Sequence, residues 1–171
     1  MDTETAYKKG VYRIESNEPL TRNVWRMVLA GDTRWITAPG QFVNIALEGR
    51  YLRRPISVCD YDEHTITLIY KVVGGGTEQM SRMAAGAELD LLTGLGNGFS
   101  IRGEVRRPLL VGGGVGVPPL YNLARKLLAE GPLKKPDELV GRDSQIFDRQ
   151  LAKINGPKWP VEGSQGERLA Q

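Results

Sequence analysis

From residue 10 to about residue 103 the chain is a succession of short β-forming runs separated by turn residues, and no other feature constrains its fold as tightly. Val11-Tyr12-Arg13-Ile14 is the first candidate strand, and Val24 to Leu29 alternates, with Trp25, Met27 and Leu29 on one face. Pro39-Gly40 interrupts, Gln41 to Leu47 reads as the next run, and Ile56 to Cys59 is a short one. A longer run, Thr65 to Val73, sets Ile66, Leu68, Tyr70 and Val72 against Thr65, Thr67 and Lys71. A helical piece spans roughly Thr77 to Ala84, and Glu88 to Thr93 is the last run. Period-two alternation sends successive side chains to opposite faces, so each run offers one apolar face to a core. Several such runs with a single helix predict a mainly β fold, a closed antiparallel barrel rather than a parallel sheet.

The pattern changes near residue 104. A charged connector, Glu104 to Arg107, leads to the apolar run Pro108 to Val111 and then to Gly112-Gly113-Gly114-Val115-Gly116. Leu120, Leu123, Ala124, Leu127 and Leu128 follow at helical spacing. Pro118 and Pro119 suit the first turn of that helix, and Gly131 suits its C-terminal stop. Strand, glycine turn and helix in that order open an α/β nucleotide-binding domain. Such a domain needs further strand–helix units, which residues 132 to 171 do not supply. They are rich in Pro and Gly, their one helical candidate runs from Ser144 to Ile154, and Gly163 to Glu167 has a disordered composition. The expected organisation is a barrel over 1–103, an incomplete α/β domain over 104–131, and an atypical, mobile tail over 132–171. No internal repeat is present.

Charge and cysteine content narrow the function. With 23 Lys and Arg against 20 Asp and Glu, the net charge of +3 is too weak to argue for nucleic acid. The acidic Met1 to Thr5 has no apolar run behind it, so no signal peptide is read there. Nothing approaches the roughly 18 apolar residues needed to span a bilayer, and a cytoplasmic protein is expected. The single cysteine, Cys59, excludes an internal disulfide framework and any multi-cysteine zinc or iron–sulfur site within these residues. It reads as a small buried strand residue. His64 lies in the turn-like run Tyr61-Asp62-Glu63-His64 and reads as solvated rather than catalytic.

Three stretches carry chemistry. In Arg53-Arg54-Pro55-Ile56-Ser57 an arginine precedes a serine by three residues at a strand start. The guanidinium can grip a pyrophosphate bidentately, and a hydroxyl on the same side of the strand can bond the polar edge of a flavin ring. The alternative is a surface arginine at a strand edge. Gly74-Gly75-Gly76-Thr77 allows close backbone approach before a helix that Thr77 would cap; the alternative is a flexible turn with an ordinary threonine cap. Gly112 to Pro119 departs from the standard dinucleotide fingerprint, because Val117 stands at the place of its last glycine, yet it would bring a helix start near a ligand.

In combination, these stretches resemble the electron-transfer subunit of type-B dihydroorotate dehydrogenase, within the ferredoxin-reductase superfamily. The likeness rests on Leu52 to Ser57, Gly76-Thr77, Leu95-Gly96-Asn97-Gly98-Phe99, Pro39-Gly40-Gln41-Phe42 and Gly112 to Tyr121, and runs from about residue 8 to residue 131. It implies an antiparallel Greek-key FAD-binding barrel, an NAD-binding domain and a C-terminal 2Fe-2S segment. It also implies an FMN-containing catalytic partner subunit, with electrons passing from that FMN to NAD+ in de novo pyrimidine (UMP) biosynthesis. Carried over by position, Arg54, Pro55, Ile56 and Ser57 would contact FAD, with Arg54 on the pyrophosphate and Ser57 near the ring. Ile69, Tyr70 and Lys71 would line the adenosine and phosphate side, and Gly76 and Thr77 the pyrophosphate. For Tyr70 a core or cross-strand aromatic is the alternative. Ile56 stands where the wider superfamily often has an aromatic residue. The family's cluster cysteines and most of its NAD site are missing from these residues, so the chain looks truncated and is not expected to be active alone. Two alternatives remain: the flavin subunit of another ferredoxin-reductase-like complex, or a non-catalytic flavin-binding fragment.

Overall fold

The computed structural model describes residues 7–100 and 108–130. The connector and the tail expected to be mobile lie outside the described residues. The strands are β1 (Lys8–Pro19), β2 (Val24–Ala30), β3 (Phe42–Ile45), β4 (Arg54–Tyr61), β5 (Thr65–Lys71) and β6 (Glu88–Leu95). Helix α1 (Gly75–Ser81) joins β5 to β6, and α2 (Pro118–Glu130) follows the barrel. All strand pairs are antiparallel, and the sheet closes in the order β1-β2-β5-β4-β3-β6. Because β2 lies beside β5 while β3, β4 and β5 are consecutive neighbours, the order is that of a Greek key.

Closure depends on β1, which is longer than the run Val11 to Ile14 suggests. Its first half pairs with β6, its second half with β2, and a register shift between Ile14 and Ser16 lets the strand turn the corner. The interior holds Tyr12, Ile14, Met27, Leu29, Val43, Ile45, Val58, Ile66, Leu68, Tyr70, Leu89 and Leu91. The alternation expected of Thr65 to Val73 holds, with Ile66, Leu68, Tyr70 and Val72 on the core side. Met80 of α1 enters the same core, so this helix closes one end of the barrel.

A second, smaller cluster forms on the outside from Leu20, Cys59, Ile69 and Tyr121. Its cause is a second register shift, in β4 between Val58 and Asp60. Val58 pairs with inward-facing Leu68, whereas Asp60 pairs with Thr67 on the outer face, so Cys59 is the extra residue. The bulge puts both Cys59 and Asp60 outside, where regular alternation would have turned the carboxylate into the core. Asp60 then accepts hydrogen bonds from Asn122 Nδ2 (2.9 Å) and Arg125 Nη1 (2.6 Å), clamping α2 onto β4. Tyr121, Asn122 and Arg125 thus fasten α2 to the outer wall, while of the leucine stripe read from the sequence Leu123 is buried and Leu128 is exposed. Leu120 of that stripe packs on Gly112 of its own preceding loop.

The apolar run Pro108 to Val111 does not form a strand here. A strand exists through its neighbours' hydrogen bonds, and none pairs with this run among the described residues; Leu109 and Val111 are exposed. Gly112 is nevertheless closely packed: a Cβ there would come within 2.9 Å of the Leu120 Cδ1 methyl and 3.1 Å of Val117, so these neighbours would have to shift. A 3-10 turn, Gly114–Gly116, leads into α2. Among the described residues no helix is long and apolar enough to cross a membrane.

Candidate functional site

The site is built at the α1 end of the barrel, where the start of β4, the end of β5 and the loop from Leu47 to Arg53 meet. The two adjacent arginines part company here. Arg53 donates to the carbonyls of Asn44 (3.2 Å) and Asp90 (3.1 Å) and pairs with the Asp90 carboxylate at 2.8 Å, a bond that ties β4 to β3 and β6. Arg54 donates to the Leu52 carbonyl at 2.8 Å and meets no carboxylate among the described residues. Its guanidinium lies against Gly76, where a Cβ would fall 2.8 Å from both Cζ and Nη2 and closer still to Nε. Glycine at 76 is thus the condition for the guanidinium to sit on the turn.

Arg50, absent from the motifs quoted above, does the same one residue earlier. A Cβ at Gly75 would fall 2.8 Å from its Nη2 and 3.2 Å from its Nη1. The sequence signal for it was slight: a third arginine near the Arg53-Arg54 pair, after a glycine whose φ of +70° turns the loop back towards α1.

The Thr77 hydroxyl is engaged within this turn. The helix starts at Gly75 with Gly74 as its N-cap, so Thr77 is the third helical residue and not the cap. Its buried hydroxyl accepts from the Val73 and Gly74 N–H groups (2.9 and 3.3 Å) and donates to the Gly74 carbonyl (3.0 Å). Those bonds use the hydroxyl's capacity and hold the glycines in place, while geometry leaves the first helical N–H groups without intrahelical partners.

Ser57 does not share a side with Arg54. Residues three apart on a pleated strand face opposite ways, and the pairing makes this explicit: Arg54 pairs with buried Ile45, and Ser57 with half-buried Phe42. Pro55 and Ser57 lie on the outer face, the one on which Cys59 and α2 pack. Ile56 packs against the barrel interior. The line Arg54, Pro55, Ser57 thus runs from the barrel mouth onto its outer wall. That geometry suits an elongated ligand with its anionic part at the mouth and its flat part on the wall.

The β5 candidates behave differently from one another. Ile69 is buried under Tyr121, its side chain turned to α2. Tyr70 is 2% exposed, a core aromatic, and its hydroxyl donates to Asn17 Oδ1 at 3.0 Å. Burial pushes its phenol above the ordinary range, a shift the Asn17 bond only partly offsets. Asn17 Nδ2 in turn donates to the carbonyls of Met80 (2.8 Å) and Met83 (2.9 Å), so Tyr70 holds the far end of α1 through Asn17. Lys71 is exposed at the end of β5.

Two motifs of the resemblance turn out to be one knot. Buried Gln41 accepts at Oε1 from the N–H groups of Thr37 (2.7 Å) and Ala38 (3.1 Å), and its Nε2 donates to the Gly96 carbonyl (3.0 Å). A Cβ at Gly40 would strike the Phe99 ring at 2.7 Å, and one at Gly98 would strike Ala38 at the same distance. Pro39-Gly40-Gln41-Phe42 and Leu95 to Phe99 are thereby locked together beside Ser57's strand partner.

Elsewhere, His64 is exposed in the β4–β5 turn, where its N–H donates to Asp62 at 2.8 Å. Cys59 is buried and free, and burial, reinforced by Asp60, pushes its thiol up to about 12. No group of metal ligands occurs among the described residues. A 2Fe-2S cluster needs four ligands, and one cysteine under α2 does not fit that requirement.

No family profile matches the chain. Among curated proteins, it is 42% identical to the dihydroorotate dehydrogenase B (NAD(+)) electron transfer subunit of Geobacillus sp. (strain WCH70), over 94% of this chain and 66% of that protein. The namesake of Bacillus velezensis is 37% identical over 94% of this chain and 67% of its own length. Both alignments run past Gly131. The Fusobacterium nucleatum protein is 40% identical over 69% of this chain and 49% of its own length. The chain therefore spans about half to two thirds of the curated relatives it matches. Among solved structures, an NADH-dependent reduced ferredoxin–NADP oxidoreductase matches at TM-score 0.62 and 30% identity, over 71% of this chain and 45% of that one. The ferredoxin reductase of carbazole 1,9a-dioxygenase matches at TM-score 0.66 over 74% of this chain and 42% of that one; at 24% identity it shows the fold alone.

Proposed function

The chain belongs to the family of dihydroorotate dehydrogenase B electron-transfer subunits, and from that premise we propose that it is a cytoplasmic FAD-binding subunit. In this reading it channels electrons from the FMN of a dihydroorotate dehydrogenase catalytic subunit towards NAD+, in the service of UMP synthesis. The observation that carries the flavin assignment is the contrast between the two arginines. Arg53 is consumed by Asp90, whereas Arg54 sits on Gly76 with no carboxylate against it among the described residues.

The residues present fit FAD. Arg54 would hold the pyrophosphate at the barrel mouth, and the turn that Thr77 keeps in shape would let the diphosphate approach the main chain. Ser57 would face the ring on the outer wall, with Pro55 and Ile56 setting the strand beneath it. FAD, when bound, supplies a carrier that takes up electrons in pairs and releases them singly or in pairs. Gly112 to Gly116, held beside that wall by the Asp60 clamp, would form one side of an NAD site whose other parts these residues do not include. The cluster belongs to the family's reading but has no ligand set in this chain.

Acid extraction of the purified protein should release FAD and not FMN. Arg54→Ala should weaken FAD by about 1.5–3 kcal/mol, the range for hydrogen bonds to charged groups. Recovery of no flavin, or of FMN alone, would count against the assignment. Co-expression with an FMN-containing dihydroorotate dehydrogenase catalytic subunit and size-exclusion chromatography tests the partner; clean separation at micromolar concentration would remove it.

A further inference from the structure

Arg50 belongs to none of the motifs that identify the family, yet it reaches the same turn as Arg54. We propose that Arg50 is the second cation of the pyrophosphate site and sets the preference for a flavin with two phosphates over one with a single phosphate. This inference rests on the flavin-binding reading above.

Arg50 and Arg54 lie on consecutive glycines. Their guanidinium groups come within 2.8 Å of where the Cβ atoms of Gly75 and Gly76 would stand. Two like charges gathered on one turn repel, and a neighbouring carboxylate is the usual remedy. Arg26, Arg34, Arg53, Arg82 and Arg125 each have such a carboxylate partner; Arg50 and Arg54, like Arg13 and Arg22, have none among the described residues, but only Arg50 and Arg54 converge on one turn. An anion on the turn would supply the missing compensation, and two guanidinium forks can each take one phosphoryl group of a diphosphate.

Arg50 is also held in position, although it is an exposed loop residue. Its main-chain N–H donates to the Leu47 carbonyl (3.1 Å), and its Nε to Gln79 Oε1 (3.3 Å). Gln79 Nε2 donates back to the Glu48 carbonyl at 3.0 Å. Gln79 is thereby a positioning residue that fastens the loop and its guanidinium to α1, leaving the two terminal nitrogens of Arg50 at Gly75. A long, flexible side chain fixed before binding loses less entropy when the ligand arrives.

A diphosphate engages both arginines, whereas a single terminal phosphate has no second phosphoryl group for Arg50. The test is titration of FAD and of FMN into the flavin-stripped chain, with Arg50→Gln, Arg50→Lys and Gln79→Ala alongside. Arg50→Gln should raise the Kd for FAD about tenfold or more, the lower end for a lost charge-assisted hydrogen bond. Its Kd for FMN should change by no more than about threefold, as expected of a distant surface charge, so the FAD-to-FMN preference collapses. Arg50→Lys should fall between the two, because it keeps the charge and loses the fork. Gln79→Ala should shift the preference in the same direction by less. Equal weakening of both flavins, or an unchanged FAD affinity, would overturn the role of Arg50 while leaving the flavin site standing. A wild-type chain that binds neither flavin would overturn the flavin reading itself, and this proposal with it.

Discussion

Replacing Gly76 with alanine separates what the glycine turn does for folding from what it does for binding. The new Cβ would stand 2.8 Å from Arg54 Cζ and Nη2, and nearer still to Nε, so the guanidinium has to swing away. The fold itself has little to lose. Gly76 does not adopt a positive φ, so alanine meets no backbone strain, and it gains about 0.5–1 kcal/mol of helical preference. Against this stands the displaced bond from Arg54 to the Leu52 carbonyl, worth about 1 kcal/mol. The two nearly cancel, and Tm should move by no more than about 2–4 °C, the equivalent of 1 kcal/mol in a chain of this size. Binding is different, because the displaced guanidinium takes its charge-assisted contact with it. A loss of about 1.5–3 kcal/mol raises the Kd for FAD roughly 10- to 150-fold. Thermal unfolding followed by circular dichroism, paired with FAD titration of the stripped protein, reads both quantities on one sample. A Gly76→Ala protein with unchanged FAD affinity would refute the reasoning, since alanine and the observed Arg54 position exclude each other.

Three further outcomes follow from the same contacts. Asp60→Ala removes the acceptor shared by Asn122 and Arg125, and Arg125 is about half exposed, so the global cost should be about 1 kcal/mol. Amide exchange should then accelerate in α2 and not in the barrel; uniform acceleration would contradict a local clamp. Cys59, its thiol pushed up to about 12 by burial, should stay inert to a disulfide reagent at pH 8 and react only on unfolding; fast labelling of the native protein would show that α2 does not cover it. For Asp90, burial opposes ionisation, but hydrogen bonds from Lys9 and Arg53 outweigh it and hold its carboxyl below the usual range. A depressed carboxyl stabilises the fold above its unfolded pKa of about 4, and that contribution is lost progressively as pH falls from there through the lower folded-state value. The urea midpoint of Asp90→Asn should therefore vary less than that of the wild type as pH drops from about 5 to 3, and parallel curves would exclude the pairing.

The division of the chain into inward and outward faces is legible in the amino-acid sequence alone. Met27 and Leu29, or Ile66, Leu68 and Tyr70, reach the core because strand periodicity is a local property, set by the pleat of each segment. The helix after the glycine run is legible for the same reason. So is the chemistry of Arg54 and Gly76, since a fork-shaped cation and a residue without a side chain declare themselves by type.

Tertiary structure decided everything that depends on pairing between distant segments. Arg53 and Arg54 are indistinguishable as neighbours; the register of β4 on β3 and the Asp90 carboxylate on β6 turn one into a clamp, while the other lies over Gly76 with no carboxylate among the described residues. The serine expected beside Arg54 moved to the outer wall because an odd spacing on a strand inverts the face. The bulge at Cys59 moved Asp60 outward and gave α2 a polar clamp through Asn122 and Arg125 beside the Tyr121 contact, a pairing no helical periodicity contains. Arg50 comes to lie on the same turn as Arg54 only because the loop that carries it folds onto Gly75. Local patterns specify which faces are apolar, but the choice of partner across a closed barrel is a property of the whole sheet, and it is there that the site is assembled.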